Sequence, residues 1–278
     1  MSSNTFAFNI CDTNYPNSFW AVYDTADLKN WVLVGAVTLD DNGLGGFTNT
    51  TAVPYRFYKI SNGQTTSRAI GFDRIFVAAN TTNVIANQLD APDDTLDGLF
   101  NQTVVANGNT YNNAMPDGTS LPSGTVMMFW NGSGYNNYSW TGSAWSSGGS
   151  TVLAPGGAAF IQNNSANSIT VTFVGLVEEG QLTVPIASGW SLISSKVPQA
   201  GGLQSVLGFT PGSFDFFLIG ALYANWTGYY YDPTVSPPWD DGYGNPISYE
   251  PVVQVGQGFF IAPNNGAEDW VRNFSVYP

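Results

Sequence analysis

The 278-residue chain has no histidine, one cysteine, and only seven lysines and arginines. Without histidine it lacks the commonest general base, the commonest metal ligand and the usual proton switch near neutral pH. Cys11 stands alone, which excludes an intrachain disulfide and a cysteine-based zinc site. Next to Ile10, it is expected to be a small buried hydrophobe. Charged residues make up 10% of the chain, against about 25% in ordinary soluble domains. The basic residues are also unevenly placed. Residues 1–80 carry five bases and six acids, residues 81–180 no base and seven acids, and residues 181–278 only Lys196 and Arg272 against seven acids. A net charge of −13 with no basic patch over the last two thirds argues against nucleic-acid partners and against binding to an anionic membrane surface. No apolar run approaches the length of a membrane span, so no membrane insertion is expected. The first ten residues, MSSNTFAFNI, have neither a basic region nor a long apolar run and do not read as an export signal.

Asn, Thr, Ser and Gly take the place of the missing charges, and aromatics reach 15%. Apolar residues alternate, or come in short runs broken by Gly, Asn and Pro, which is the pattern of β-strands. Residues 32–39 and 55–60 read as strands. The Asp-Asp-Asn-Gly segment at 40–43 reads as a hairpin turn, with 47–51 as the returning strand. Further Asn-Gly turns fall at 62–63, 107–108, 131–132 and 265–266. Only two stretches have helical character. In residues 93–100, Asp93 is a candidate cap ahead of Leu96, Leu99 and Phe100; residues 202–209 carry Leu203, Val206 and Leu207.

Those two stretches belong to an internal repeat, with copies at about 83–177 and 190–276. "VIANQL" at 84–89 matches "LISSKV" at 192–197, and "VMMFW" at 126–130 matches "FDFFL" at 214–218. "PGGAAFI" at 155–161 matches "VGQGFFI" at 255–261, Asn164 matches Asn264, and Phe173 matches Phe274. The expected architecture is all-β: an N-terminal β-sandwich over 1–80, then two duplicated small β-sandwich or barrel domains over 81–180 and 181–278, with at most short helices.

The segments "GWSLISSKVPQAG", "VGQGFFI" and "WVRNFSV", with "NVIANQLD", "PGGAAFIQN" and "ITVTFVG" as partner copy, resemble tandem β-repeat domains of secreted and surface proteins of the Planctomycetes–Verrucomicrobia group. "VYDTADLKNWVLVG" and "YRFYKI" are similar to the small β-sandwich modules that often precede them. The resemblance covers most of the chain through structural motifs and implies a modular, surface-exposed, non-catalytic protein.

The candidate chemistry is sparse. Glycosidases need a positioned carboxylate pair, and the four Glu (178, 179, 250 and 268) and the Asp93/Asp94/Asp97 cluster read as linker, turn and capping residues. No catalytic residue is assigned, and no enzyme activity is expected. Calcium is the one candidate cofactor: Asp240, Asp241 and Asn245 offer oxygen ligands within one loop, and residues 40–43 offer another such loop, with a solvated turn as the competing reading. The aromatics are more informative. Trp130, Tyr135, Tyr138, Trp140 and Trp145 form one set and Trp226, Tyr229, Tyr230, Tyr231 and Trp239 another, both in Gly/Asn/Ser-rich stretches at corresponding places in the repeat, and about half are expected to fill cores. The rest are candidates for protein interfaces or for stacking on surface glycans. The leading expectation is a structural subunit of an extracellular assembly: a virion decoration or tail-fibre protein, or a bacterial surface-appendage subunit. Its partners would be itself, as a homo-oligomer or lattice, and other subunits of the assembly. The rival reading is a secreted carbohydrate-binding or adhesin module.

Overall fold

The computed structural model describes residues 5–106, 109–220 and 225–276. It is all-β, with several antiparallel sheets and no closed barrel. The N-terminal strands are β1 (Thr5–Cys11), β2 (Phe19–Thr25), β3 (Val32–Thr38), β4 (Leu44–Thr50), β5 (Tyr55–Ser61) and β6 (Ile70–Val77). The first copy contributes β7 (Thr81–Ile85), α1 (Leu96–Phe100), β8 (Gln102–Ala106), β9 (Asn109–Ala114), β10 (Val126–Trp130), β11 (Tyr135–Ser139), β12 (Ala159–Asn163) and β13 (Ile169–Leu176). The second contributes β14 (Gly180–Ile186), β15 (Ser191–Ile193), β16 (Gly201–Gly202), β17 (Phe216–Ile219), β18 (Thr227–Tyr231), β19 (Trp239–Asp240), β20 (Pro246–Ile247), β21 (Val252–Val253), β22 (Phe259–Ala262) and β23 (Glu268–Phe274).

The N-terminal unit is a sandwich in which the β1–β4 ribbon lies on a five-stranded sheet ordered β13-β6-β5-β2-β3. Alternation along β1 turns Phe6 and Ile10 inward against Trp20, Val22, Tyr58 and Phe72, with Phe6 stacked on Tyr58 at 5.1 Å. The same alternation points Cys11 outward, so it is exposed rather than buried. The turn at 40–43 forms, with Asp40 Oδ1 accepting the Asn42 and Leu44 amides, but it does not close a hairpin. Instead β3 pairs with β2 and β4 crosses to β1, because the two strands belong to opposite layers.

Strand β13 crosses the boundary expected near residue 80. It pairs with β6 along eight residues, so the first copy completes the N-terminal sheet. The second copy repeats this step within itself, through β14 and β23. The repeat therefore starts one strand earlier than its sequence match, at β6 and at β14. The central sheets agree in strand order: β11-β10-β12-β7 in the first copy and β18-β17-β22-β15 in the second, where β19 and β20 extend the edge. Core membership also changes one equivalence. Val171 and Trp270 occupy matching places, opposite Ile75 and Val184, whereas Phe274 packs in a different cluster from Phe173.

The helical expectations were half met. Helix α1 covers five residues and buries Leu96, Leu99 and Phe100, but Thr95 is its cap, accepting from the Gly98 amide; Asp93 instead accepts from Thr95 N–H. Residues 203–207 form turns, with Leu203 and Leu207 in the core of the second copy. Positive φ at Gly43, Gly63, Gly132 and Gly266 fits the Asn-Gly turns, and the one at 107–108 lies outside the described residues.

The two copies pack face to face. In β12, Ala159 and Ile161 point into the first core while Phe160 points out; in β22, Phe259 and Ile261 point into the second core while Phe260 points out. The outward faces meet in one buried layer of Val84, Ala86, Ala158, Phe160, Leu192 and Phe260. Backbone groups exchange across it in matching pairs, Ala86 N–H to Gly256 O and Ser194 N–H to Gly156 O, both at 2.9 Å. Gly258 makes the approach this close: a Cβ there would stand 2.3 Å from Ala158 Cβ and 3.0 Å from Val84 Cγ2. Gly258→Ala should therefore destabilise the fold by about 1–3 kcal/mol. Adding Ala158→Gly should recover much of that loss, and denaturant melts of the two single variants and the double variant measure the coupling. Independent, additive effects would contradict this packing.

Candidate functional site

The ten aromatic candidates are drawn inward to different depths. Trp140 and Trp145 sit 5.3 Å apart in the first core, and their counterparts Tyr231 and Trp239 sit 5.0 Å apart in the second. Tyr138 and Tyr229 lie half-buried on the same two cores. Trp130, Tyr135 and Trp226 join the layer between the copies, where Trp226 makes edge contacts with Phe160 at 5.9 Å and Phe260 at 5.5 Å. The Trp130 indole donates to Trp190 O at 2.8 Å. Tyr230 packs on Phe214 and Phe216. None of the ten is fully exposed: nine pack on a core or in the layer between the copies, and Tyr230 lies half-buried against Phe214 and Phe216.

The exposed aromatics are others. Tyr243 is 89% and Tyr249 61% exposed, and both lie in the longer connection from β18 to β22. Its counterpart in the first copy, from β11 to β12, is shorter: residues 140–158 against 232–258, with four residues joining Trp140 to Trp145 there and seven joining Tyr231 to Trp239 here. Comparing the lengths of the two connections would have singled it out. It builds a groove of about 420 Å³ bordered by Gln204, Ser205, Pro238, Trp239, Tyr249 and Glu250. The Trp239 indole donates to Gln204 Oε1 at 2.8 Å, which fixes that amide. Glu250 Oε2 accepts the Gln204 and Ser205 backbone amides at 2.6 and 3.1 Å. A cleft of about 440 Å³ beside α1 and β13 offers less: Asp93 accepts from the Thr95 amide, Thr172 donates to Asp117, and Gln102 donates to Gly98 O.

Carboxylates do structural work. Buried Asp215 accepts the Gly212 and Asn264 amides and tethers two turns; Glu268 lies beside it, and burial, the neighbouring charge and their shared hydrogen bond push Glu268 up to about 7. In the calcium candidate, Asp240 accepts from Gly242 N–H, and Asp241 accepts from Tyr243 and Asn245 N–H and from the Asn245 amide side chain. Those carboxylates close a turn, and Asp241 is lowered by the same hydrogen bonds. Among the described residues, no group of three or more His, Cys, Asp or Glu gathers as metal ligands, and no helix is long and apolar enough to cross a membrane.

Asp73 is a buried carboxyl at the junction of the three units. It sits on β6 beneath Gly256, its Oδ2 has no hydrogen-bond partner, and burial pushes it up to about 7 against one backbone hydrogen bond. Gln88 reaches the same spot and accepts the Gly256 amide at 2.8 Å. Comparison with protein-family models, curated proteins and solved structures finds no match.

A carboxyl whose folded value lies above its unfolded one favours folding in the protonated form. Asp73 and Glu268 thus stabilise the fold fully below about pH 4, and that contribution is lost as pH rises through about 7. Thermal melts should show higher stability at pH 5 than at pH 8. Asp73→Asn should flatten the profile and raise stability at pH 8 by roughly 1–2 kcal/mol. Stability that rises steadily from pH 5 to pH 8 would count against this account.

Proposed function

We propose that this chain is a non-enzymatic structural subunit of an extracellular assembly, such as a virion decoration or fibre protein or a bacterial surface-appendage subunit, and that copies meet through the edge of the N-terminal sheet. The observation that carries this is β3. It pairs with β2 on one side and has no hydrogen-bonded strand neighbour on the other among the described residues. A bulge leaves Val34 unpaired between Leu33 and Gly35, and Val32, Leu33 and Val34 are all exposed, at 59%, 61% and 38%. Natural edge strands are usually guarded by Lys, other charges or Pro; residues 31–39 contain none of these. An uncharged apolar edge costs little to desolvate against a second copy, and the −13 net charge makes such a neutral patch the favoured meeting point.

The reading as a non-enzyme rests on the absence of histidine and on carboxylates such as Asp215 and Asp241, whose oxygens accept backbone amides in turns. It agrees with the modular surface proteins that the sequence resembles.

Sedimentation of the purified chain should reveal a concentration-dependent oligomer. Leu33→Lys should weaken it by tens-fold or more, the effect of losing an interface anchor, while leaving the melting temperature nearly unchanged. Trp226→Ala should do the reverse, costing about 2–4 kcal/mol of stability through the layer between the copies with little effect on association. A wild-type chain that stays monomeric at high concentration would sink the proposal.

A further inference from the structure

We propose that the groove beside Trp239 in the second copy is a binding site for neutral glycans, with Tyr249 as the platform on which a sugar ring stacks. This goes beyond the assembly reading and does not depend on it. The argument starts from duplication. The two copies share the order of their four central strands, so residues that lengthen a connection in only one of them are not needed to complete the fold. The connection from β18 to β22 is lengthened in this way, spanning 232–258 against 140–158 in the first copy, and it carries the two most exposed tyrosines among the described residues. In the first copy the equivalent tryptophan, Trp145, donates to a backbone carbonyl, Leu96 O. In the second, Trp239 donates to the side chain of Gln204, so the position has been given an amide that borders an open groove.

The polar groups of the groove are pre-set. Gln204 Oε1 is fixed by the indole, which leaves its amide N–H groups as donors with no partner among the described residues. Glu250 is held by two backbone amides and keeps lone pairs for further donors. Ser205 and Ser248 add exposed hydroxyls. Beside them stands the Tyr249 ring, 61% exposed, with Pro238 on the wall. A pyranose matches this combination: its C–H face packs on an aromatic ring, and its hydroxyls bond planar amide and carboxylate groups at the rim. Charge selects among sugars. No lysine or arginine borders the groove, none occurs from 197 to 271, and Glu250 brings a negative charge. Sulfated, phosphorylated and uronic-acid glycans would meet repulsion with no compensating cation.

The test uses the full chain and isothermal titration with neutral hexaoses of glucose, mannose, galactose and xylose. A heparin hexasaccharide and a proline-rich decapeptide serve as comparison ligands. Binding of at least one neutral hexaose is expected, with a Kd on the order of 0.1–1 mM, as befits a shallow site. Tyr249→Ala should weaken it at least tenfold, Tyr249→Phe should retain it because the stacking face survives, and neither change should alter the melting temperature. The proposal is overturned if no neutral hexaose binds, if binding survives Tyr249→Ala, or if only heparin or the peptide binds. Sedimentation of Tyr249→Ala reports separately on assembly, so failure of either idea leaves the other measurable.

Discussion

The packing of Phe160 against Phe260 is the contact on which the rest of this molecule depends. Their rings lie 6.1 Å apart at the centre of the layer where the two copies meet. Each sits on a central strand whose neighbouring residues fill its own copy's core, so β12 and β22 are buried on both faces. A strand in that position can have no solvent-facing polar residue, which is why "AAFI" and "GFFI" read as unbroken apolar runs rather than alternating ones. Gly258 and Ala158 bring the sheets close enough for backbone hydrogen bonds to cross between the copies.

The N-terminal sheet is tied in by a second device, the lending of β13 to β6. One face of that sheet carries the β1–β4 ribbon, and the other meets the second copy through Phe57, Leu182, Val197 and Val276. Gln199 of the second copy also donates to Asp27 O at 2.7 Å. Three units thus converge where Asp73 is buried beneath Gly256. An ionisable carboxyl without a full set of partners is costly at such a point, and the cost falls when it takes up a proton.

Much of the fold was legible in the sequence. Turn density and strand runs indicated an all-β chain, and paired motifs such as those around Phe160 and Phe260 indicated duplication, because both signals are local or recur along the chain. The boundary near residue 80 was not legible, since pairing of β13 with β6 joins residues about a hundred positions apart and leaves no local mark. Cys11 was misjudged because the neighbouring Ile10 suggests burial, whereas alternation in β1 turns the two to opposite faces. The two aromatic sets are conspicuous in the sequence. Their destination, inside the cores and between the copies, depends on which sheet faces meet.

The sequence alone determined the class of chemistry open to this protein. A chain without histidine, with one thiol and with almost no cations over two thirds of its length is confined to contacts made by aromatic rings, amides, hydroxyls and carboxylates. Only the tertiary structure decided which of those groups reach solvent. Pairing of the copies consumed Trp130, Tyr135 and Trp226, while the longer connection of the second copy left Tyr249 outside and the edge position of β3 left Val32, Leu33 and Val34 uncovered. The reason is geometric: side-chain identity sets what a residue can bind, but the register and facing of distant strands set what is left for it to bind.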